Sequence, residues 1–80
     1  MSAPDVRLEL DCRGMLCPRP VVELARHLED VEVGEQIAVV TEDRAAAVDV
    51  PAWCRMREQA YVGADEADDG VPRYRVRRLR

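Results

Sequence analysis

A chain of 80 residues has room for one small domain, covering 1–80 with 1–5 as a flexible N-terminal stretch, and such a domain buries only about 60% of the surface its unfolded chain exposes. Phenylalanine is absent and there are one Trp and two Tyr, so the core has to be assembled from Val, Leu, Ala and Ile. A net charge of −4 with no lysine speaks against general nucleic-acid binding and for a soluble protein.

Val6, Leu8 and Leu10 alternate with Arg7, Glu9 and Asp11, the period-two pattern of a strand with one wet face. A loop from Cys12 to Leu16 follows, and then the stretch Gly14-Met15-Leu16-Cys17-Pro18-Arg19-Pro20. A residue before proline is pushed out of the α region, and proline fits the first helical position, so the pattern predicts Cys17 as N-cap and Pro18 as the first helical residue. Pro20 has no amide to give, which makes the Arg19 N–H the expected donor to the sulfur. The helix N-terminus and the Arg19 guanidinium would both favour thiolate over thiol. A small buried hydrophobe is the other reading of a free cysteine, and spacing alone leaves the two level. Gly14 supplies a flexible turn, and Met15 and Leu16 set apolar side chains beside the thiol, suited to docking or to packing. Because Arg19 also precedes a proline, distortion of the first helical turn is expected.

The helix is predicted from Pro18 to about Asp30, with Val21, Leu24, Ala25 and Leu28 on one face. Glu23/His27 and Arg26/Asp30 are four apart, as surface ion pairs, so His27 reads as part of a solvated face. Val33-Gly34-Glu35 reads as a turn and Gln36 to Thr41 as a central strand, giving a parallel βαβ unit with the Cys17 loop at the carboxyl end of the first strand. A second helical region is predicted to begin at Thr41-Glu42-Asp43, break near Val50, and resume from Pro51 to about Gln59. Val50, Trp53, Cys54 and Met56 are its expected apolar contacts, with Cys54 in the core. Ala60 to Ala64 reads as a third strand, 65–70 as a charged hairpin turn, and Arg73 to Arg80 as a strand whose arginines form a basic sheet edge, read either as solvated or as an anion-facing or RNA-facing strip.

Three cysteines, an odd number, argue against a disulfide framework and for a reducing compartment. Met1 to Asp5 lack the regions of a secretory signal and no run approaches transmembrane length, which places the chain in the cytoplasm, without membrane insertion.

Asp11-x-x-Gly14-x-x-Cys17-Pro18-x-Pro20 resembles the signature of the TusA/SirA-like sulfur carrier family, and Asp49-Val50-Pro51-Ala52-Trp53-Cys54 resembles its second segment. The resemblance implies an α+β two-layer sandwich, βαβαββ, with both helices on one face of a four-stranded mixed sheet, the same element order as the residue-level reading. It implies sulfur held as a persulfide on Cys17, taken from a donor such as a cysteine desulfurase or rhodanese and passed to an acceptor protein in a pathway such as tRNA thiolation. Gly14, Met15, Leu16, Pro18, Arg19 and Pro20 would support that thiol. No cofactor other than the covalent sulfur, no stable nucleic-acid binding, a monomeric state and no independent turnover without partners go with this reading. The chain departs from the family in carrying Arg57-Glu58-Gln59 where many members have Gly-His-Glu.

Such a carrier needs a nucleophilic thiolate and no general base, and His27, at the far end of the helix, supplies none. Cys12 is a second thiol that could attack a persulfide on Cys17. Zinc bound by Cys12, Cys17, Cys54 and His27 fits the usual ligand spacing poorly, and a redox pair of Cys12 and Cys17 lacks the Cys-x-x-Cys spacing. A non-catalytic regulatory module on the same fold is a further alternative.

Overall fold

The computed structural model describes residues 6–16 and 18–80. The elements follow in the order β1 (Val6–Asp11), α1 (Arg19–His27), β2 (Gln36–Val40), α2 (Ala46–Arg57), β3 (Ala60–Glu66) and β4 (Pro72–Arg77). They build an α+β sandwich on a four-stranded mixed sheet in the order β1-β2-β4-β3. β1 runs parallel to β2, while β4 is antiparallel to both β2 and β3.

Side-chain alternation decides which face of the sheet takes the helices. Ile37 and Val39 of β2 and Tyr74 and Val76 of β4 join Leu24 of α1 and Val50, Trp53 and Cys54 of α2 in one buried cluster. Leu8, Leu10, Val21, Ala25 and Leu28 pack against it. Every residue of β2 is buried, including Gln36, Ala38 and Val40 on the face without helices. Arginines of β4 explain why. Arg73 lies opposite Val40, and Arg75 opposite Ala38. The Nε and Nη2 of Arg73 each donate to the Asp65 carboxylate of β3 at 2.8 Å, and its Nη1 reaches back to Glu9 of β1 at 3.0 Å. The stems of these arginines cover apolar neighbours, and the Arg73 guanidinium stays paired with carboxylates on both sides. The predicted basic edge is therefore corrected: β4 is an interior strand, and its arginines Arg73 and Arg75 are engaged with acidic and amide groups rather than displayed. The same pairing carries β3 beyond its expected end, since Asp65 and Glu66 continue the ladder opposite Arg73 and Pro72.

The last turn of the first helical segment, Leu28–Asp30, tightens to a 3₁₀ turn. One of the two expected ion pairs, Glu23 with His27, forms, and the other does not. His27 contacts Glu23 at 3.4 Å and Asp30 at 2.8 Å, while Arg26 pairs with Glu23 at 3.5 Å instead of with Asp30.

The second helix is also corrected. It runs unbroken from Ala46 to Arg57 with Pro51 inside it. A proline there removes one intrahelical bond and crowds the carbonyl four residues back, at a cost of about 3 kcal/mol. Burial of Ala46, Val50, Trp53 and Cys54 along one face holds the turn in place against that cost. Met56, expected in the core, is 73% exposed. At about 100° per residue it falls near a right angle from the stripe made by Val50, Trp53 and Cys54. Thr41 to Asp43 form a loop, with the Asp43 N–H on Thr41 Oγ1 and the Ala45 N–H on Asp43 Oδ1, so side chains compete there with helix formation. The helix closes at Glu58, held in the left-handed region at φ 60°, ψ 42°, while the Gln59 N–H returns to the Cys54 carbonyl at 2.9 Å. Glycine is the usual residue at such a position.

Candidate functional site

The loop at the carboxyl end of β1 is fastened before it reaches α1. The Cys12 N–H continues the β1–β2 ladder onto the Val40 carbonyl at 2.8 Å, and the Met15 N–H closes a turn onto the Cys12 carbonyl at 3.1 Å. Gly14 takes φ 81°, a conformation that favours glycine, and its N–H donates to Glu42 Oε1 at 3.0 Å. Arg13 reaches out of the loop to two carboxylates. Its Nη1 donates to Asp11 Oδ1 at 2.9 Å, and its Nε and Nη2 grip Asp69, in the β3–β4 connection, at 2.9 and 3.1 Å. Hydrogen bonds from Arg13 hold the Asp11 and Asp69 carboxyls below the usual carboxylate range.

The start of α1 departs from expectation. The cap residue is Pro18, at φ −97° and ψ 18°, and Arg19 is the first helical residue. The Arg19 N–H donates to the Leu16 carbonyl at 2.8 Å, while the bond expected from it to the Cys17 sulfur lies outside the described residues. Pro20 then falls among the first helical residues, whose amides have no intrahelical partner, and loses no bond by lacking one. It is buried, and anchors the first turn. The expected distortion is met by starting the helix one residue late.

The remaining predicted site residues separate by exposure. Leu16 is 75% exposed, whereas Met15 is half-buried and packs on the core, so of this apolar pair Leu16 faces outward. Arg19 is exposed, and its guanidinium lies 3.7 Å from Glu23. Beside Pro18, a shallow groove runs between the helices, lined by Val21, Asp49, Ala52, Trp53 and Met56. Cys17 itself, with the exposure and sulfur environment expected of it, lies outside the described residues.

The other two thiols are accounted for. Cys54 is 1% exposed and burial pushes its thiol up to about 11. Cys12 is equally buried, and desolvation first, then the nearby Glu23 and Asp11 charges, raise it above an ordinary thiol. Burial works against the expected attack of Cys12 on a persulfide at Cys17. Among the described residues no group of three or more His, Cys, Asp and Glu side chains gathers in a way that could hold a metal ion. Among them, too, no helix is long and apolar enough to cross a membrane. Sequence reasoning missed Arg13, Glu42 and Asp69 as parts of the loop's frame. Arg13 and Asp69 are 56 positions apart, and nothing short of the strand order could have joined them.

Residues 8–78 match the family described as Sulfurtransferase TusA. A protein of Archaeoglobus fulgidus described as a candidate sulfur carrier is 36% identical over 69 residues, covering 86% of this chain and 90% of that protein. A second from the same organism, with the same description, is 35% identical over 75% of this chain and 82% of its own length. Bacillus subtilis YrkF, described likewise, is 29% identical over 86% of this chain, which spans 37% of that longer protein. The crystal structure of a SirA-like protein from Desulfitobacterium hafniense superposes with a TM-score of 0.75 over 91% of this chain and 99% of that one. At 19% identity that likeness speaks to the fold alone.

Proposed function

The chain belongs to the TusA sulfurtransferase family, and from that premise we propose that it is a sulfur carrier holding sulfane sulfur as a persulfide on Cys17. Loading is an exchange at sulfur. The Cys17 thiolate attacks the outer sulfur of a donor persulfide, the donor's S–S bond breaks, and the donor cysteine leaves as thiolate while Cys17–S–SH forms. Delivery to an acceptor thiolate is the same exchange in reverse roles, so no net oxidation occurs and no external electron carrier is required. Nor is a general base needed if the attacking thiol is already ionised near neutral pH. α1 begins two positions after Cys17, and the positive end of its dipole favours both the thiolate and the anionic outer sulfur.

The observation that supports this assignment to Cys17 is the burial of both other thiols, which leaves it as the remaining nucleophile of the three. Exposed Leu16 and the groove beside Pro18 would meet the partner protein, and Gly14, Met15 and Pro20 would shape the backbone that presents the sulfur. Arg19 would add positive charge for docking. The donor would be a cysteine desulfurase or a rhodanese, the acceptor a second protein in a relay such as tRNA thiolation, and turnover would require both partners. No cofactor beyond the covalent sulfur enters this scheme.

Incubation with a cysteine desulfurase and cysteine, followed by intact-mass measurement, tests the reading. The native chain gains the mass of one sulfur atom, Cys54→Ser gains it equally, and Cys17→Ser gains none. A sulfur adduct on Cys17→Ser would overturn the assignment.

A further inference from the structure

The loop before Cys17 is surrounded by acid. Asp11 ends the strand before it, Asp69 faces it from the β3–β4 connection, and Glu42 takes the Gly14 N–H. Three carboxylates on the loop that leads to Cys17 would work against an anionic sulfur there, because a neighbouring negative charge disfavours thiolate. Arg13 lies among them. It holds Asp69 with two parallel hydrogen bonds and Asp11 with a third, so its one positive charge is shared between two of the three carboxylates and cancels one unit of negative charge. Its Asp69 contact is also the loop's side-chain tie to the hairpin, whose own turn is set by Val71 N–H on Asp69 Oδ1 at 3.2 Å.

We propose that Arg13 is a positioning residue for the Cys17 thiol, tying the loop to the β3–β4 hairpin through Asp69 and offsetting one of the two negative charges it grips. The inference rests on the sulfur-carrier reading and deepens it. Lysine would not serve equally, since it keeps the charge but cannot make the two-bond fork to one carboxylate. Two functions of Arg13 are thereby separable. The guanidinium's charge controls how readily Cys17 ionises. Its fork geometry controls where the loop holds Cys17 for a partner.

The experiment measures the pH profile of Cys17 alkylation by iodoacetamide, located by peptide mass, together with the rate of sulfur loading from a cysteine desulfurase. It compares the native chain with Arg13→Gln, Arg13→Lys and Asp69→Asn, each first shown to be folded by circular dichroism. Arg13→Gln is expected to move the alkylation midpoint up by about half a pH unit, the size of one unit charge acting through a nearly aqueous medium within a Debye length. Loading should slow with it, by about threefold at pH values below the native midpoint and by less above it. Arg13→Lys is expected to keep the midpoint but load more slowly, and Asp69→Asn to leave the midpoint unraised while also slowing loading. A native midpoint and native loading rate in Arg13→Gln would overturn the proposal. Failure of the native chain to load sulfur would instead sink the carrier reading, and the alkylation midpoints would still judge Arg13 on their own.

Discussion

Selective thiol reactivity gives the sharpest quantitative consequence of this fold. At pH 7 a thiol pushed up to about 11 is ionised to only about 1 part in 10⁴, against roughly 3% for an ordinary cysteine with a pKa of about 8.5. On ionisation alone, Cys54 should then alkylate about 300-fold more slowly than an unstructured cysteine. Its 1% exposure adds a second barrier, because the reagent reaches the sulfur only when the chain opens locally or globally. Cys12, equally buried and shifted in the same direction, should share this protection. The assay is a time course with iodoacetamide near neutral pH, quenched, digested and quantified by mass for each cysteine, native and in strong denaturant. In denaturant all three react at similar rates. In the native chain Cys12 and Cys54 lag by two orders of magnitude or more while Cys17 reacts freely. Cys54 labelling within about tenfold of its denatured rate would refute the reasoning, since neither the burial nor the raised thiol could then hold.

Further consequences concern stability. Glu58→Gly should raise the melting temperature by about 3–6 °C in differential scanning calorimetry. It relieves a left-handed conformation costing a side chain about 1–2 kcal/mol, gives up an exposed pair with Arg80 worth under about 1 kcal/mol, and concedes some unfolded-chain entropy. Glu58→Ala, which keeps the strain and loses the pair, should not rise. Arg73→Met should lower stability by about 1 kcal/mol in urea titration and Arg73→Ala by more, because alanine removes both the Glu9–Asp65 bridge and the stem beside Val40. The pH profile of stability should fall on both sides of neutrality. Cys54 and Cys12 have folded values above their unfolded ones, so their contribution is complete below about pH 9 and is lost as pH climbs through the folded values, about 11 for Cys54. Asp11, Asp65 and Asp69 are shifted the other way, so theirs is present above the unfolded value of 3.8 and is lost as pH drops below it. A urea midpoint that stays flat across either range would contradict the corresponding shifts.

Much of the architecture is written locally. The alternation of Val6, Leu8 and Leu10, the unbroken apolar run of β2 and the helical spacing of Val21, Leu24 and Ala25 each name an element without reference to anything distant. What escaped local reading depended on tertiary contacts. Pro51 looks like a helix breaker until the burial of Val50, Trp53 and Cys54 around it is known. The arginines of β4 look like an exposed edge until Glu9 and Asp65 are brought beside Arg73 from strands on either side. At the site, the Cys-Pro-x-Pro stretch was legible as a thiol ahead of a helix, but the helix starts one residue later than expected, with Pro18 as its cap and the Arg19 N–H closing a turn onto the Leu16 carbonyl. The acidic frame of the loop, and the single arginine that offsets it, emerge only once strand order sets the hairpin against the carboxyl end of β1.

The carrier assignment is tested most directly by leaving the chain one thiol at a time. A Cys12→Ala/Cys54→Ala variant, folded and offered a cysteine desulfurase with cysteine, should take up one sulfur atom at Cys17 and surrender it on addition of a small thiol. The same variant remaining unmodified, while a Cys17→Ser chain acquires sulfur, would contradict the account.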